Sequence, residues 1–473
     1  MNKVHLLLCL LLGNVPVFSQ AVFSDATFRL PPGAIGGSTM DVAVADFNGD
    51  GHPDIVMAKE WQRNRILFND GAGNFTDATI GRFTDVGHDS EDIAVADFDG
   101  NGWLDIVFAS EDDSTHEFYL NTGSGNFTDV SARLPKFVSN AVVAIDINGD
   151  TYIDLVFGNN GQNRILINDG AGNFTDETAA RMPLIHDVTQ DILLVDVDND
   201  GDWDLAVGNE DGNRLLINDG TGVFTDETAT RLATAINMES RKVSKADVNG
   251  DGYDDLFFSN MASAAGRDIQ DRLYLNDGNG HFTDVTATRL PRDGKHTFDA
   301  VFTDLNGDGK PDLITGFFMN EMPAVLLNDG TGVFTDHTND YLPAEAAGNN
   351  IAVYVADFNN DGRDDIYMGR FQQGDRIFFA GIPVSARQIE HNNAFSMYPN
   401  PAKNVLHISL DDDCLKGTVH LTVSDITGKT VITQNSQDKR QVALSTETLT
   451  SGIYILTLST PGCTASSRFI VRS

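Results

Sequence analysis

A ten-residue acidic segment returns seven times and constrains this chain more than any other feature. It reads DFNGDGHPDI from Asp46, DFDGNGWLDI from Asp97, DINGDTYIDL from Asp146 and DVDNDGDWDL from Asp196. It returns as DVNGDGYDDL from Asp247, DLNGDGKPDL from Asp304 and DFNNDGRDDI from Asp357. Successive starts lie 51, 49, 50, 51, 57 and 53 residues apart. A second motif runs in phase, as NDGAGNFTD from Asn69 and in five further copies from Asn121, Asn168, Asn218, Asn276 and Asn328. Each unit carries four short apolar runs, such as Val42–Ala45, Ile55–Ala58, Ile66–Phe68 and the run beginning at Phe75. Four strands joined by Gly and Asp turns predict one antiparallel sheet per unit. A unit of this size cannot bury both faces alone, so neighbours must stack around an axis.

The two motifs are unequal in number: seven acidic segments but six NDG–FTD turns. After Asp357 the FTD element is missing, and a copy stands instead at the other end, as Val22-Phe23-Ser24-Asp25-Ala26-Thr27. The reading is that this N-terminal strand completes the seventh unit and removes an open sheet edge. The predicted fold is all-β: a seven-bladed β-propeller over residues 22–381, then a small β-sandwich over 394–473, with 382–393 as linker.

Side-chain oxygens stand at positions 1, 3, 5 and 9 of every acidic segment. In the first they belong to Asp46, Asn48, Asp50 and Asp54, with His52 offering a backbone carbonyl at position 7. The matching sets are Asp97, Asp99, Asn101, Asp105 with Trp103; Asp146, Asn148, Asp150, Asp154 with Tyr152; and Asp196, Asp198, Asp200, Asp204 with Asp202. The last three are Asp247, Asn249, Asp251, Asp255 with Tyr253; Asp304, Asn306, Asp308, Asp312 with Lys310; and Asp357, Asn359, Asp361, Asp365 with Arg363. Alternation turns these hard oxygens toward one centre, and Gly at position 6 allows a sharp bend, which selects Ca²⁺. Clustered carboxylates without a cation would repel. A helical EF-hand needs Glu at position 12, where Met57 stands, so these are β-loop sites, about seven ions in all. Thr151 at position 6 of the third loop resists a positive φ and predicts the weakest site. The fourth loop has the most carboxylates and predicts the tightest.

The formal charge of −37 disfavours nucleic acid, because neutralising phosphates needs a basic face. Lys3 followed by the apolar run Leu6–Leu12 predicts a signal peptide over residues 1–20 and a secreted protein. No other segment is long enough to span a bilayer. Residues 22–413 contain no Cys; Cys414 and Cys463 either pair or stay free.

The loops and turns together resemble the FG-GAP/VCBS repeats of integrin-α-type propellers. The resemblance implies Ca²⁺ on the loop residues of one face and ligands on the other. Near the C-terminus, YPNPAKNVLHI and SGIYILTL resemble the type A C-terminal sorting domain of the type IX secretion system. That implies export by this machinery to the outside or outer surface of a Bacteroidetes-type bacterium. Arg468 and Arg472 stand where this family often ends in lysines.

The face opposite the acidic loops carries segments that differ among units. Trp61, Phe318 and Phe371 are candidates for stacking on sugar rings, with Glu60, Glu111 and Glu210 accepting hydroxyl bonds. Asp41, Asp92, Asp191 and Asp299 precede the apolar run of the first strands. Arg65, Arg164, Arg214, Arg272 and Arg376 recur at the start of the third strands and are expected to pair with those four aspartates. No nucleophile elbow, HExxH or phosphate loop occurs. The function expected is a secreted calcium-binding module for glycans or surface proteins. The alternatives are a propeller-based polysaccharide lyase or hydrolase, or a purely structural surface module.

Overall fold

The computed structural model describes residues 22–111, 114–232, 238–263, 266–292, 294–381, 395–410, 418–425, 429–437, 440–450, 452–460 and 463–472. The segments expected to be a signal peptide and a linker, and Cys414, lie outside the described residues. The chain divides into two compact parts, one ending at Pro383 and one beginning at Val384.

In the first part each repeat becomes four antiparallel strands paired in chain order. In the first unit these are Thr39–Ala45, Asp54–Gln62, Arg65–Asn69 and Phe75–Asp77. The first strand descends into the acidic loop, the second climbs out, and the NDG turn joins the third to the fourth. The last unit has only Asn350–Ala356 before its acidic loop and Asp365–Arg370 and Arg376–Ala380 after it. Its fourth strand is Phe23–Asp25, paired with Arg376–Ala380 in the register Phe23 to Ala380 and Asp25 to Phe378. Arg376 closes that pairing on Asp25 at 3.1 Å.

Each first strand packs beside the first strand of the next unit, and Asn350–Ala356 packs beside Thr39–Ala45, so the order of neighbours returns on itself. The core lies between units rather than within them. Phe47, Val56 and Ile66 of the first unit share a cluster with Phe83, Ile106 and Phe108 of the second. Val42, Met57 and Leu67 share another with Phe358, Tyr367 and Ile377 of the last. Where phenylalanine follows the leading Asp, it meets the FTD phenylalanine of the following unit: Phe47 with Phe127 at 6.4 Å, Phe98 with Phe174 at 5.9 Å and Phe358 with Phe75 at 5.7 Å. That edge-to-face contact fastens these three seams.

Polar side chains fasten the same seams. The NDG asparagine is the first: Asn121 gives Nδ2 to Phe47 O of the preceding unit at 2.9 Å and takes Gly123 N on Oδ1 at 3.0 Å. Asn69, Asn168, Asn276 and Asn328 repeat the inter-unit bond. The second is a residue just before the third strand: Asn213 takes Asn209 N on Oδ1 and gives Nδ2 to Ser240 of the next unit. Where the last unit meets the first, this device becomes charged. Asp375 takes Arg370 N, Thr39 Oγ1 and the Tyr367 hydroxyl, with Lys59 Nζ at 3.8 Å, all buried.

The recurrent arginines do not pair with Asp41, Asp92, Asp191 and Asp299. Arg65, Arg164, Arg214, Arg272 and Arg376 meet the FTD aspartates Asp77, Asp176, Asp226, Asp284 and Asp25. The reason is strand order: the third strand borders the fourth, while the second strand separates it from the first.

The second part has a three-stranded sheet, Phe395–Tyr398, Val405–Leu410 and Gln441–Ser445. A four-stranded sheet is built from Thr418–Asp425, Thr430–Gln437, Gly452–Thr460 and Cys463–Val471. Leu406, Ile408, Leu444, Leu421, Leu456 and Phe469 of both sheets share one buried cluster.

Removing a buried seam residue should cost far more than removing a surface ion pair. Asn121→Ala leaves Phe47 O and Gly123 N without their partner and is expected to lower unfolding free energy by about 2–6 kcal/mol, at about 1–3 kcal/mol per orphaned group. Arg164→Ala should cost under about 1 kcal/mol. Urea unfolding of both variants checks the contrast. Deleting residues 22–31 should expose the edge of Arg376–Ala380 and produce oligomers on size exclusion.

Candidate functional site

Each acidic loop winds around its leading carboxylate. Asp46 Oδ1 accepts the amides of Gly49 and Asp50 at 2.7 and 3.1 Å, and Oδ2 accepts Gly51 N at 2.7 Å. Asn48 Oδ1 takes Asp50 N at 2.9 Å, and Asp50 Oδ1 takes His52 N at 3.0 Å. Asp247 and Asp304 collect the same three amides in their loops. Position 6 has a left-handed backbone throughout, with φ +85° at Gly51 and +76° at Thr151. A threonine held there is strained, because its branched Cβ crowds the backbone.

Position 9 ties the loop to its unit. Asp54 is fully buried, with Oδ2 on Phe47 N at 3.1 Å and Oδ1 on Asn69 N at 2.9 Å. Burial pushes its carboxyl up to about 7 against those two amides, with Asp50 and Asp46 adding repulsion. Asp105, Asp204, Asp255 and Asp365 rise to about 7 and Asp154 to about 6 for the same reasons. The side chain at position 7 leans on the NDG turn: a Cβ on Gly71, where φ is +76°, would run into the His52 ring.

The donor set fits a hard divalent cation. In the second and fourth loops, carboxylate oxygens of positions 1, 3 and 9 lie within 4.8 Å of one another: Asp97, Asp99 and Asp105, and Asp196, Asp198 and Asp204. Asp196 Oδ1, Asp198 Oδ1 and Asn359 Oδ1 are buried without a hydrogen-bond partner, a costly state unless something else binds them. The fourth loop is also less purely acidic than its sequence suggests, since Arg231 Nη2 sits 3.1 Å from Asp198 Oδ2.

The second strands end on the other face, at Glu60–Trp61, Glu111, Glu210, Phe318 and Phe371. Trp61 is 55% exposed on a left-handed backbone of φ +51°. Phe318 packs tilted against Phe298 at 5.4 Å and edge-to-face against Phe371 at 5.7 Å, joining the last two units. Trp61 makes no ring contact with them among the described residues. Glu210 Oε1 takes Gln190 Nε2 at 3.0 Å and lies 3.8 Å from Arg241. Glu60 and Glu111 sit near Glu91, whose carboxyl is pushed well up by burial and then by Asp89, Glu111 and Glu60. Glu91, Phe298 and Arg241 are absent from the residues picked out by motif. They occupy bulges in the first strands, and no residue type marks a bulge in this sequence.

The FG-GAP-like repeat family matches six times, over residues 46–108, 97–157, 146–207, 196–258, 247–315 and 317–368. The secretion system C-terminal sorting domain matches residues 396–472. No curated protein matches the chain. Among solved structures, an Agrocybe aegerita lectin that recognises non-reducing terminal N-acetylglucosamine is 21% identical with a TM-score of 0.42, covering 66% of this chain and 84% of that one. BBS1N in complex with ARL6DN is 15% identical with a TM-score of 0.47, covering 76% and 98%. The extracellular domain of the putative hybrid two-component system BT4673 from B. thetaiotaomicron is 10% identical with a TM-score of 0.43, covering 94% and 58%. Likenesses this slight carry no argument about ligand or partner. The sorting domain marks the protein for type IX export to the cell surface or beyond it. No helix among the described residues is long and apolar enough to cross a membrane. With its repeats matched across most of residues 46–368, the chain belongs to the FG-GAP-like repeat family.

Proposed function

We propose that the first part is a seven-bladed β-propeller holding calcium in its seven acidic loops, and that it serves outside the cell as a binding module for glycans or surface proteins. The second part is then a small β-sandwich that addresses the protein to the type IX machinery. One observation carries the binding reading: one face repeats the same loop seven times, while the other varies among the units. On that second face Glu60, Glu111 and Glu91 form an acidic arc, and Phe298, Phe318 and Phe371 an aromatic one. Aromatic faces with nearby carboxylates suit sugar rings and their hydroxyls. The orphaned oxygens of Asp196, Asp198 and Asn359 support the calcium.

A lyase or hydrolase is the second reading, favoured by the half-buried carboxyls of Asp41 and Asp92, which face each other in the pocket between the first strands. Glycan-array binding without product supports the module; release of unsaturated products or reducing ends supports the enzyme. Trp61→Ala should weaken glycan binding at unchanged melting temperature.

Chelation tests the metal. At 100 times the dissociation constant each site adds about 2.7 kcal/mol to stability, so EDTA should lower the melting temperature markedly. Thr151→Gly should tighten the third loop, seen as the disappearance of the weakest phase in a calcium titration. The metal-free protein should also show a particular pH dependence. The position-9 carboxyls keep their protons in the folded state up to about pH 7, whereas unfolded aspartates release them near pH 4. Between these values the unfolded chain binds fewer protons, so stability in EDTA should fall from pH 5 to 8. Calcium, which competes with those protons, should remove the decline.

A further inference from the structure

Every first strand carries a β-bulge at the same register, at Met40, Glu91, Asn140, Gln190, Arg241, Phe298 and Ile351. A bulge re-aims side chains, and here it presents two successive residues of neighbouring strands to one pocket. The residues after the bulges form the floor: Asp41, Asp92, Asp191, Lys242 and Asp299. The bulged residues form the rim. The pocket holds about 70 Å³, and below its floor a larger cavity of about 550 Å³ runs toward the acidic loops.

The floor acids are unequally served. Asp191 has Val243 N at 2.8 Å and Lys242 Nζ at 3.2 Å. Asp299 has Val353 N at 2.6 Å and Ala300 N at 2.8 Å. Asp92 takes Val142 N at 2.7 Å and Ile93 N at 2.9 Å, and its other neighbour is Asp41, a carboxyl hydrogen-bonded to a carboxyl. Such a pair holds together only by keeping a proton. Two residues before Val142 stands Asn140, 6% exposed, with Nδ2 on Thr189 O at 3.1 Å and Oδ1 buried without a partner. Among the described residues Asp41 and Asn140 Oδ1 are therefore the acceptors short of an N–H donor, beside Asp92 and with the Lys242 ammonium as the cation facing both aspartates, while Glu91 stands above them on the rim.

The rim is divided. Glu91, Asn140, Gln190 and Arg241 make a polar arc, and Phe298, Ile351 and Met40 an apolar one that continues to Phe318 and Phe371. A bare metal ion would leave the apolar arc unused. An alkylammonium uses both: three N–H donors and a positive charge for the floor, a hydrocarbon or ring body for the apolar side.

We propose that this axial pocket binds a primary ammonium group, inserted head first between Asp41, Asp92 and Asn140, with the ligand's body lying on Phe298 and Ile351. The cation replaces the proton shared by Asp41 and Asp92 and supplies the missing donor to Asn140 Oδ1. The inference rests on the reading that this face is the binding face and names the chemistry it selects.

Calorimetric titration of the full secreted chain with n-butylamine at pH 7 and saturating calcium tests it, with n-butanol and CaCl₂ as the comparison titrants. One-to-one binding of butylamine, none of butanol, and no competition from further calcium are expected. Asp92→Asn should weaken binding by at least about tenfold, the loss of one charged hydrogen bond. Asn140→Asp adds a charge beside the ammonium and should tighten it. Opposite changes from neighbouring residues cannot arise from misfolding. Absence of butylamine binding, equal binding of butanol, or indifference to both substitutions overturns the proposal. Glycan binding that survives while butylamine fails removes the pocket alone; butylamine binding without any glycan binding leaves the pocket and removes the glycan.

Discussion

A buried aspartate at the ninth position of each loop is the constraint on which the rest of the first part depends. Its two oxygens span the loop entrance and the NDG turn, as Asp54 does between Phe47 N and Asn69 N. The asparagine of that turn then reaches the preceding unit, as Asn69 does to Phe358 O. One side chain thus fixes the loop and the hairpin, and a second fixes the neighbour. Because the apolar core also lies between units, no unit is stable without the next. Closing the series through Phe23–Asp25 and the Lys59–Asp375 contact gives every unit two neighbours.

The same arrangement separates two tasks. The acidic ends of the strands are constant because each must complete the same wound loop. The opposite ends are joined by segments under no such demand, so they vary: Trp61 in one unit, Glu111 in another, Phe371 in a third. The bulges make this division sharper by gathering one chosen side chain per unit at the axis.

Much of this was legible in the residues. The acidic segment, the NDG–FTD turn and the displaced FTD copy at Phe23 are local patterns, and local patterns carry strand order. The third loop is a clear case, where Thr151 takes the positive φ that glycine takes elsewhere. What the residues concealed depends on register across space. Arg65 and its equivalents looked available to Asp41 and its equivalents, yet an intervening strand keeps them apart. The axial site was hidden because a bulge leaves no mark: Glu91, Asn140 and Phe298 share a position but no chemistry. Arg231 beside Asp198 was equally invisible, since it arrives from the short helix after the FTD strand.

The central claim is that cations sit in these loops and hold the ring of units together. Native mass spectrometry of the secreted protein, recorded across a calcium titration alongside its melting temperature, tests it most directly. The account predicts stepwise uptake approaching seven ions, the last of them weakest, with the melting temperature rising at each step. A chain that binds no calcium and melts identically in EDTA contradicts it.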